Sequence, residues 1–302
     1  MTAWQVRYLV NAAKGVLPFQ SQLHALKRKI KGARTTIVQD QAMEDAMHQV
    51  QAINAGGLPV AGSTVLEIGS GWYPVAPLVF RAAGADQVIL SDMHRLLHPT
   101  TLAAAIDHVS RAAEKVGEAI GLGADEVRKR INPPPGLSDE AVMAWLGFTY
   151  NAPFDLAKCP PIDIVTSHTV LEHIRPDQLK GLLTALKDKL TPRGLMSHGV
   201  DHSDHRAHSD RRLTTIDFLR YSDRTWDLLH INPQDYTNRL RHPDYLKLFD
   251  AAGYDVEVTQ NWLGDGLMDR VGEVPLWGRF AEMDVEDVIT MWTHYILRPK
   301  GG

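Results

Sequence analysis

From residue 64 onward, short β-rich runs alternate with helical stretches, and this alternation limits the fold more than any other feature of the chain. Thr64 to Gly69 reads as a buried strand, Pro74 to Ala83 as the helix after it, and Gln87 to Ser91 as a second strand. Ile162 to His168 is the next clear strand, followed by a helix from about Pro176 to Leu190 and a strand over Gly194 to Val200. Pro243 to Ala252 reads as a helix closed by Gly253, Tyr254 to Trp262 as a strand, and Met291 to Arg298 as a final one. Strands joined through helical crossovers lie parallel. The expectation is an α/β fold with a doubly wound sheet, whose ligands sit beyond the carboxyl ends of the strands.

Three stretches fall outside the alternation. Residues 1–57 form an expected N-terminal helical extension, ahead of a main domain over 58–302. Residues 1–39 carry seven basic residues and no Asp or Glu, and Leu23, Leu26 and Ile30 add an apolar stripe. Such a helix can touch an anionic membrane surface peripherally, approach an anionic substrate, or simply pack beside the domain. Residues 93–150 are too long for an ordinary crossover, Ala-rich and then proline-rich at Pro133 to Pro135, and read as an inserted helical subdomain. Residues 201–242 are polar, with several histidines and aromatics, and are expected to form a lid above the sheet.

Composition excludes several classes. A formal net charge of −4 argues against a general nucleic-acid partner. The single cysteine, Cys159, allows no intramolecular disulfide and fits a reducing compartment. No apolar run approaches the roughly 18–20 residues of a membrane helix, so stable insertion is not expected. The start of the chain lacks a signal-peptide pattern, and the expected location is cytoplasmic.

The chemistry centres on Val65-Leu-Glu-Ile-Gly-Ser-Gly-Trp-Tyr-Pro74, a strand that ends in a glycine turn and enters a helix. Gly69 and Gly71 lack a Cβ, so a ligand can approach their backbone. Asp92 follows Gly69 by 23 residues, at the end of the next strand, where a carboxylate can accept both hydroxyls of a ribose or cap the following helix. Asp155 can accept an adenine amino group or be an ordinary loop residue. A nicotinamide dinucleotide is a poor fit, because Pro74 stands where the third glycine of a pyrophosphate loop belongs. Glu67, two residues before the first glycine, suits an ammonium group better than a phosphate.

These residues resemble the class I S-adenosylmethionine-dependent methyltransferases. The likeness rests on Glu67-Ile-Gly-Ser-Gly71 and Asp92. It continues through Asp163-Ile-Val-Thr-Ser-His-Thr-Val-Leu-Glu-His-Ile174 and Leu186-Lys-Asp-Lys-Leu-Thr-Pro-Arg-Gly-Leu195. The resemblance implies a mostly parallel, seven-stranded Rossmann-like sheet and S-adenosylmethionine as cofactor. It places Glu67 near the methionine amino group or ordering the loop, and Gly69, Ser70 and Gly71 against the cofactor. Asp92 and Met93 fall at the ribose, Asp155 and Leu156 near adenine, and His168 near cofactor or substrate. Tyr73 departs from the family, in which many members have a third glycine there. Phe218-Leu-Arg-Tyr-Ser222 and Asn238-Arg-Leu-Arg241 are more loosely similar to bacterial methyltransferases associated with surface polysaccharides.

Methyl transfer to a hydroxyl needs positioning and a group to take the proton. Ser197 to His208 holds His198, His202, His205 and His208 with Asp201 and Asp204 between them, starting at a strand end. His202 or His205, oriented by Asp201 or Asp204, is the expected base; the other reading is a polar loop whose histidines bond backbone groups. A divalent metal is possible here but not favoured, since no cysteine joins the cluster and the spacing matches no closed zinc pattern. His173 is expected to pack at a helix start. Phe218, Tyr221, Trp226 and Tyr236, among Arg220, Arg224, Arg239 and Arg241, form either lid core or a platform for a sugar, an anionic glycan or a nucleotide- or lipid-linked sugar. The expected function is O-methylation of a sugar or other hydroxylated small molecule. The alternatives are a non-catalytic cofactor-binding scaffold and a protein or RNA methyltransferase.

Overall fold

The computed structural model describes residues 32–208, 210–229 and 236–301. The basic stripe around Leu23, Leu26 and Ile30 lies outside the described residues. The chain runs through α1 (Gly32–Ala55), β1 (Thr64–Ile68), α2 (Val75–Ala82) and β2 (Gln87–Ser91). It continues with α3 (Pro99–Arg111), α4 (Ala113–Ile120), α5 (Ala124–Ile131), α6 (Asp139–Trp145) and β3 (Phe148–Asn151). Then come β4 (Ile162–His168), α7 (Pro176–Lys187), β5 (Leu190–Asp201), α8 (Asp223–Leu229) and α9 (His242–Ala251). The last elements are β6 (Tyr254–Leu263), α10 (Leu267–Arg270), α11 (Val285–Ile289) and β7 (Thr290–Pro299).

The seven strands form one sheet in the order β3-β2-β1-β4-β5-β7-β6. Pairings among β1 to β5 are parallel, and β7 runs antiparallel to both β5 and β6. The expected doubly wound, mostly parallel seven-stranded architecture is therefore present. Strand order reverses between β1 and β4, which opens a crevice beyond their carboxyl ends.

Both sheet faces are buried, which is why β1, β2 and β4 read as apolar runs rather than alternating ones. Val65, Val88, Ile164 and Leu195 point to one face and pack with α1, α2 and the α3–α5 helices. Leu66, Ile89, Val165 and Met196, one residue on, point to the other and meet α7 and α9. Helix α1 joins the first face through Met43, Ala46, Met47, Val50 and Ile53, spaced three or four residues apart.

Two features differ from expectation. The segment 93–150 is not wholly an insertion: its end belongs to β3, a four-residue edge strand beside β2 that begins directly after Gly147. Its helices share a core with α1 and α2 rather than forming a separate one. The second feature is that residues 264–289, which sequence periodicity did not single out, pack with the lid. Ile216, Phe218, Leu219 and Trp226 meet Leu267, Val274, Phe280 and Val288 in a third apolar cluster, so the cap is built from two stretches of chain. No helix among the described residues is long and apolar enough to cross a membrane.

Arg241 joins this cap to the sheet. It is fully buried, and its guanidinium donates to the carbonyls of His202, Asp287, Val288 and Thr290. Its removal leaves several carbonyls without donors in a dry place. Arg241→Ala should lower unfolding free energy by about 3 kcal/mol or more in urea denaturation. A loss of under about 1 kcal/mol would show that water or neighbouring groups replace the fork.

Candidate active site

The turn after β1 is tied to the end of β2. The Gly69 and Ser70 N–H groups both donate to the Ser91 carbonyl at 2.9 Å, and Ser91 N–H donates to Ser70 Oγ at 3.1 Å. Ser91 Oγ donates to the Glu67 carbonyl at 2.7 Å. Asp92 completes the tie, accepting from Gly71 N–H at 3.1 Å and from His94 N–H at 3.2 Å. Gly69 and Gly71 have φ of +76° and +63°, in the left-handed region. Their spaces serve different ends. A Cβ on Gly69 would stand 2.5 Å from Val170 Cγ2, whereas one on Gly71 would meet nothing nearer than the Gly69 carbonyl at 3.9 Å. Val170 uses the room at Gly69; the room at Gly71 is open to a ligand.

Glu67 lies in β1 behind this turn, 6% exposed, with its Oε2 lacking any hydrogen-bond partner. Burial pushes its carboxyl up to about 7, against the opposing pull of Ser70 and His168, while Asp92 adds to the rise. An orphaned, dehydrated carboxylate oxygen in a ligand crevice fits an ammonium group. Met93, beside Asp92, is 70% exposed. Asp155 caps the turn over Leu156–Lys158 by accepting from Ala157 N–H, and pairs with Lys158 at 3.3 Å. Leu156 packs against the α7 side of the sheet.

The end of β4 carries the second half of the site. His168 Nδ1 lies 3.1 Å from Asp45 Oδ2, and Asp45 comes from α1. Gln49, one turn further along α1, donates to Asp45 Oδ2 at 2.9 Å and to the Ser167 carbonyl at 3.0 Å, and accepts from Thr166 Oγ1. Trp292 of β7 flanks the His168 ring at 5.4 Å. The short turn after β4, Leu171–His173, supplies Glu172 and His173. Both Glu172 carboxylate oxygens are buried without a well-aligned hydrogen bond. Burial first, and the Asp201 charge second, hold that carboxyl well above the usual range.

At the end of β5, Asp201 Oδ1 accepts from Ser203 N–H at 2.7 Å, and Oδ2 lies 3.2 Å from His205 Nε2. That approach is off the line of a ring hydrogen bond, so the contact is chiefly electrostatic. Burial alone would raise the Asp201 carboxyl; His205 and Ser203 outweigh it and hold it well below the ordinary range. The His205 ring meets His173 edge-on at 5.1 Å and stacks on His208 at 5.2 Å.

Several expected residues fall elsewhere. His202 is enclosed, with Nδ1 3.3 Å from the Leu240 carbonyl and Nε2 3.2 Å from Thr293 Oγ1. Burial, with Arg241 nearby, lowers its pKa to about 3, so the expectation of His202 as base is corrected: both ring nitrogens face protein. Asp204 orients no imidazole, because Arg206 grips both its oxygens. His198, bonded to Ser167 Oγ at 2.8 Å, is neutral core, its pKa lowered by burial to about 3. Three of the four expected lid arginines are held internally: Arg220 pairs with Asp217, Arg239 holds Asp223 and the Phe218 and Tyr221 carbonyls, and Arg241 is committed as above, while Arg224 is exposed. Trp226 and Phe218 are lid core.

Asp45, Gln49 and Glu172 were not anticipated as site residues. Asp45 and Gln49 were detectable in principle, as polar residues four apart on the otherwise apolar buried face of α1.

No protein-family model matches the chain. No curated protein matches it. Among solved structures it is similar to an S-adenosylmethionine-dependent methyltransferase from Mesorhizobium loti, at 16% identity over 82% of this chain and 95% of that one, with a TM-score of 0.43. It is also similar to DhpI in complex with SAH, at 15% identity over 94% and 96% of the two chains, TM-score 0.44. A third is the magnesium protoporphyrin IX methyltransferase of Synechocystis PCC 6803 with bound SAH, at 13% identity over 84% and 82%, TM-score 0.39.

Glu67 gives a pH dependence with a definite sign. Its pKa is raised on folding from 4.5 to about 7, so the native state keeps a proton that the unfolded chain has released. Its contribution to stability is full below about pH 4.5 and is lost as pH rises through 7, on the order of 3 kcal/mol in total. Urea melts of the ligand-free protein should therefore show Glu67→Gln gaining stability over wild type between pH 5 and 8. A constant difference across that range would mean that Glu67 is hydrated.

Proposed function

We propose that the protein is an S-adenosylmethionine-dependent O-methyltransferase acting on a sugar or other hydroxylated small molecule. The observation that carries this reading is the pairing of Glu67, with its orphaned oxygen, and Asp92 on either side of a glycine turn at the strand-order reversal. Glu67 receives the methionine ammonium. Asp92, already fixed by Gly71 N–H, accepts the ribose hydroxyls. Ser70 holds the turn, Gly71 leaves space for the cofactor, Met93 lies beside Asp92 at the ribose, Leu156 offers apolar contact to the adenine, and Asp155 borders it.

The bound cofactor supplies an electrophilic methyl on a sulfonium, so the protein's task is to align an acceptor oxygen and accept its proton. Of the imidazole–carboxylate pairs, His168–Asp45 stands at the carboxyl end of β4, beside the reversal point. With Asp45 holding Nδ1–H, the opposite nitrogen, Nε2, takes the proton of the acceptor hydroxyl as its oxygen bonds to the methyl. The pair His205–Asp201 lies across the same centre. The cap with its buried aromatics encloses the acceptor, and Arg239 and Arg241, spent on internal partners, are not free to grip an anionic one.

Calorimetric titration with S-adenosylmethionine and S-adenosylhomocysteine tests the cofactor. Wild type should bind both, and Asp92→Ala should lose about 2 kcal/mol of binding free energy, roughly 30-fold. Absence of affinity for either compound in the wild type would remove the proposal. A methyl-release assay over a panel of hydroxylated acceptors then tests the base. His168→Ala should cut turnover roughly 100-fold or more while sparing cofactor affinity. Wild-type turnover in both His168→Ala and Asp45→Asn would move the proton to His205 and Asp201.

A further inference from the structure

Beside the crevice, one donor atom from each of Glu172, His173 and His205 lies within 4.8 Å of the others. The three come from two loops that follow neighbouring strands, the turn after β4 and the stretch after β5. Glu172 is 3% exposed, and neither carboxylate oxygen has a well-aligned hydrogen bond, although the backbone N–H groups of Glu172 and Asp201 lie close enough to ease its ionisation. A carboxylate dehydrated in this way, with Asp201 as an anionic neighbour, is costly unless a cation completes it. His173 is already oriented: the Tyr236 carbonyl lies 2.8 Å from its Nδ1, which fixes the N–H there and puts the ring's lone pair on Nε2. A backbone carbonyl on the far nitrogen is the usual support of a metal-bound imidazole. Asp201 stands 3.2 Å from His205 Nε2 as a neighbouring carboxylate.

We infer that Glu172, His173 and His205 form a binding site for one divalent first-row transition ion. Two imidazoles and a carboxylate without a thiolate suit Mn²⁺, Fe²⁺, Co²⁺ or Zn²⁺ rather than Ca²⁺, which takes oxygen ligands alone. Bonds of about 2.0–2.2 Å at tetrahedral angles hold ligand atoms roughly 3.3–3.6 Å apart, so side-chain adjustments on the order of 1–1.5 Å close the set. Three protein ligands leave coordination positions open to an external oxygen. Service of such a position to the acceptor hydroxyl rests on the methyl-transfer reading; ion binding itself does not.

The test uses the full chain, stripped with a chelator and titrated with Zn²⁺, Mn²⁺ or Co²⁺, with bound metal counted by elemental analysis. Wild type should retain one ion per chain after desalting, and Co²⁺ should give visible ligand-field absorption. Glu172→Gln and His205→Ala should each weaken binding on the order of 100-fold or more, while His94→Ala, on an exposed loop, should bind as wild type does. Thermal melts separate loss of the site from loss of the fold. Metal-free Glu172→Gln should melt no lower than metal-free wild type, because the amide replaces a buried carboxyl whose ionised form burial disfavours. Added ion should raise the melting temperature of wild type and not that of the variant. Wild type without stoichiometric metal, or variants binding as tightly as wild type, would overturn the inference. If metal binds but S-adenosylmethionine does not, the ion site stands and the methyl-transfer reading falls.

Discussion

The Ser91 carbonyl decides where β1 stops. By accepting the N–H groups of both Gly69 and Ser70, it bends the chain out of the sheet at the level where β2 also ends. Asp92 is the next residue, and its grip on Gly71 N–H adds a further bond across the same gap. Each such bond contributes only about 1 kcal/mol net. Together they fix Glu67, the open space at Gly71 and the Asp92 carboxylate relative to one another before any ligand arrives. Without this tie the two carboxylates would be separate loop features rather than two walls of one crevice.

Electrostatics at the carboxyl end of the sheet follow from that placement. Glu67, Asp45 and Glu172 are buried there, and Asp201 is half-buried beside them. The solutions differ. Asp201 is compensated by Ser203 and His205, and Asp45 through Oδ2 by Gln49 and His168, while Asp45 Oδ1, Glu67 Oε2 and both Glu172 oxygens lack well-aligned donors.

The sheet was readable because its central strands are buried on both faces and so stand out as Thr64–Ile68, Gln87–Ser91 and Ile162–His168. The short edge strand β3 was not, since four residues after Gly147 make too brief a pattern to separate from the helices before them. The glycine turn, Glu67 and Asp92 were legible from local spacing, because the residues that form that half of the site lie at the ends of consecutive strands. The other half was harder. In the run from Asp201 to His208, spacing cannot tell that His202 turns toward Leu240 and Thr293 while His205 turns toward His173. Asp45 is separated from His168 by 123 residues, and only the packing of α1 on the sheet brings them together.

That packing has a further meaning. Helix α1 does not merely cover an apolar face: through Asp45, Gln49 and His48 it is wired to β4, β6 and β7, with His48 meeting Thr259 and the His294 ring. The leading helix and the imidazole at the end of β4 must therefore be inherited together. Grafting this helix from a relative, or trimming the chain beyond Asp45, would untether His168 even if every strand kept its place.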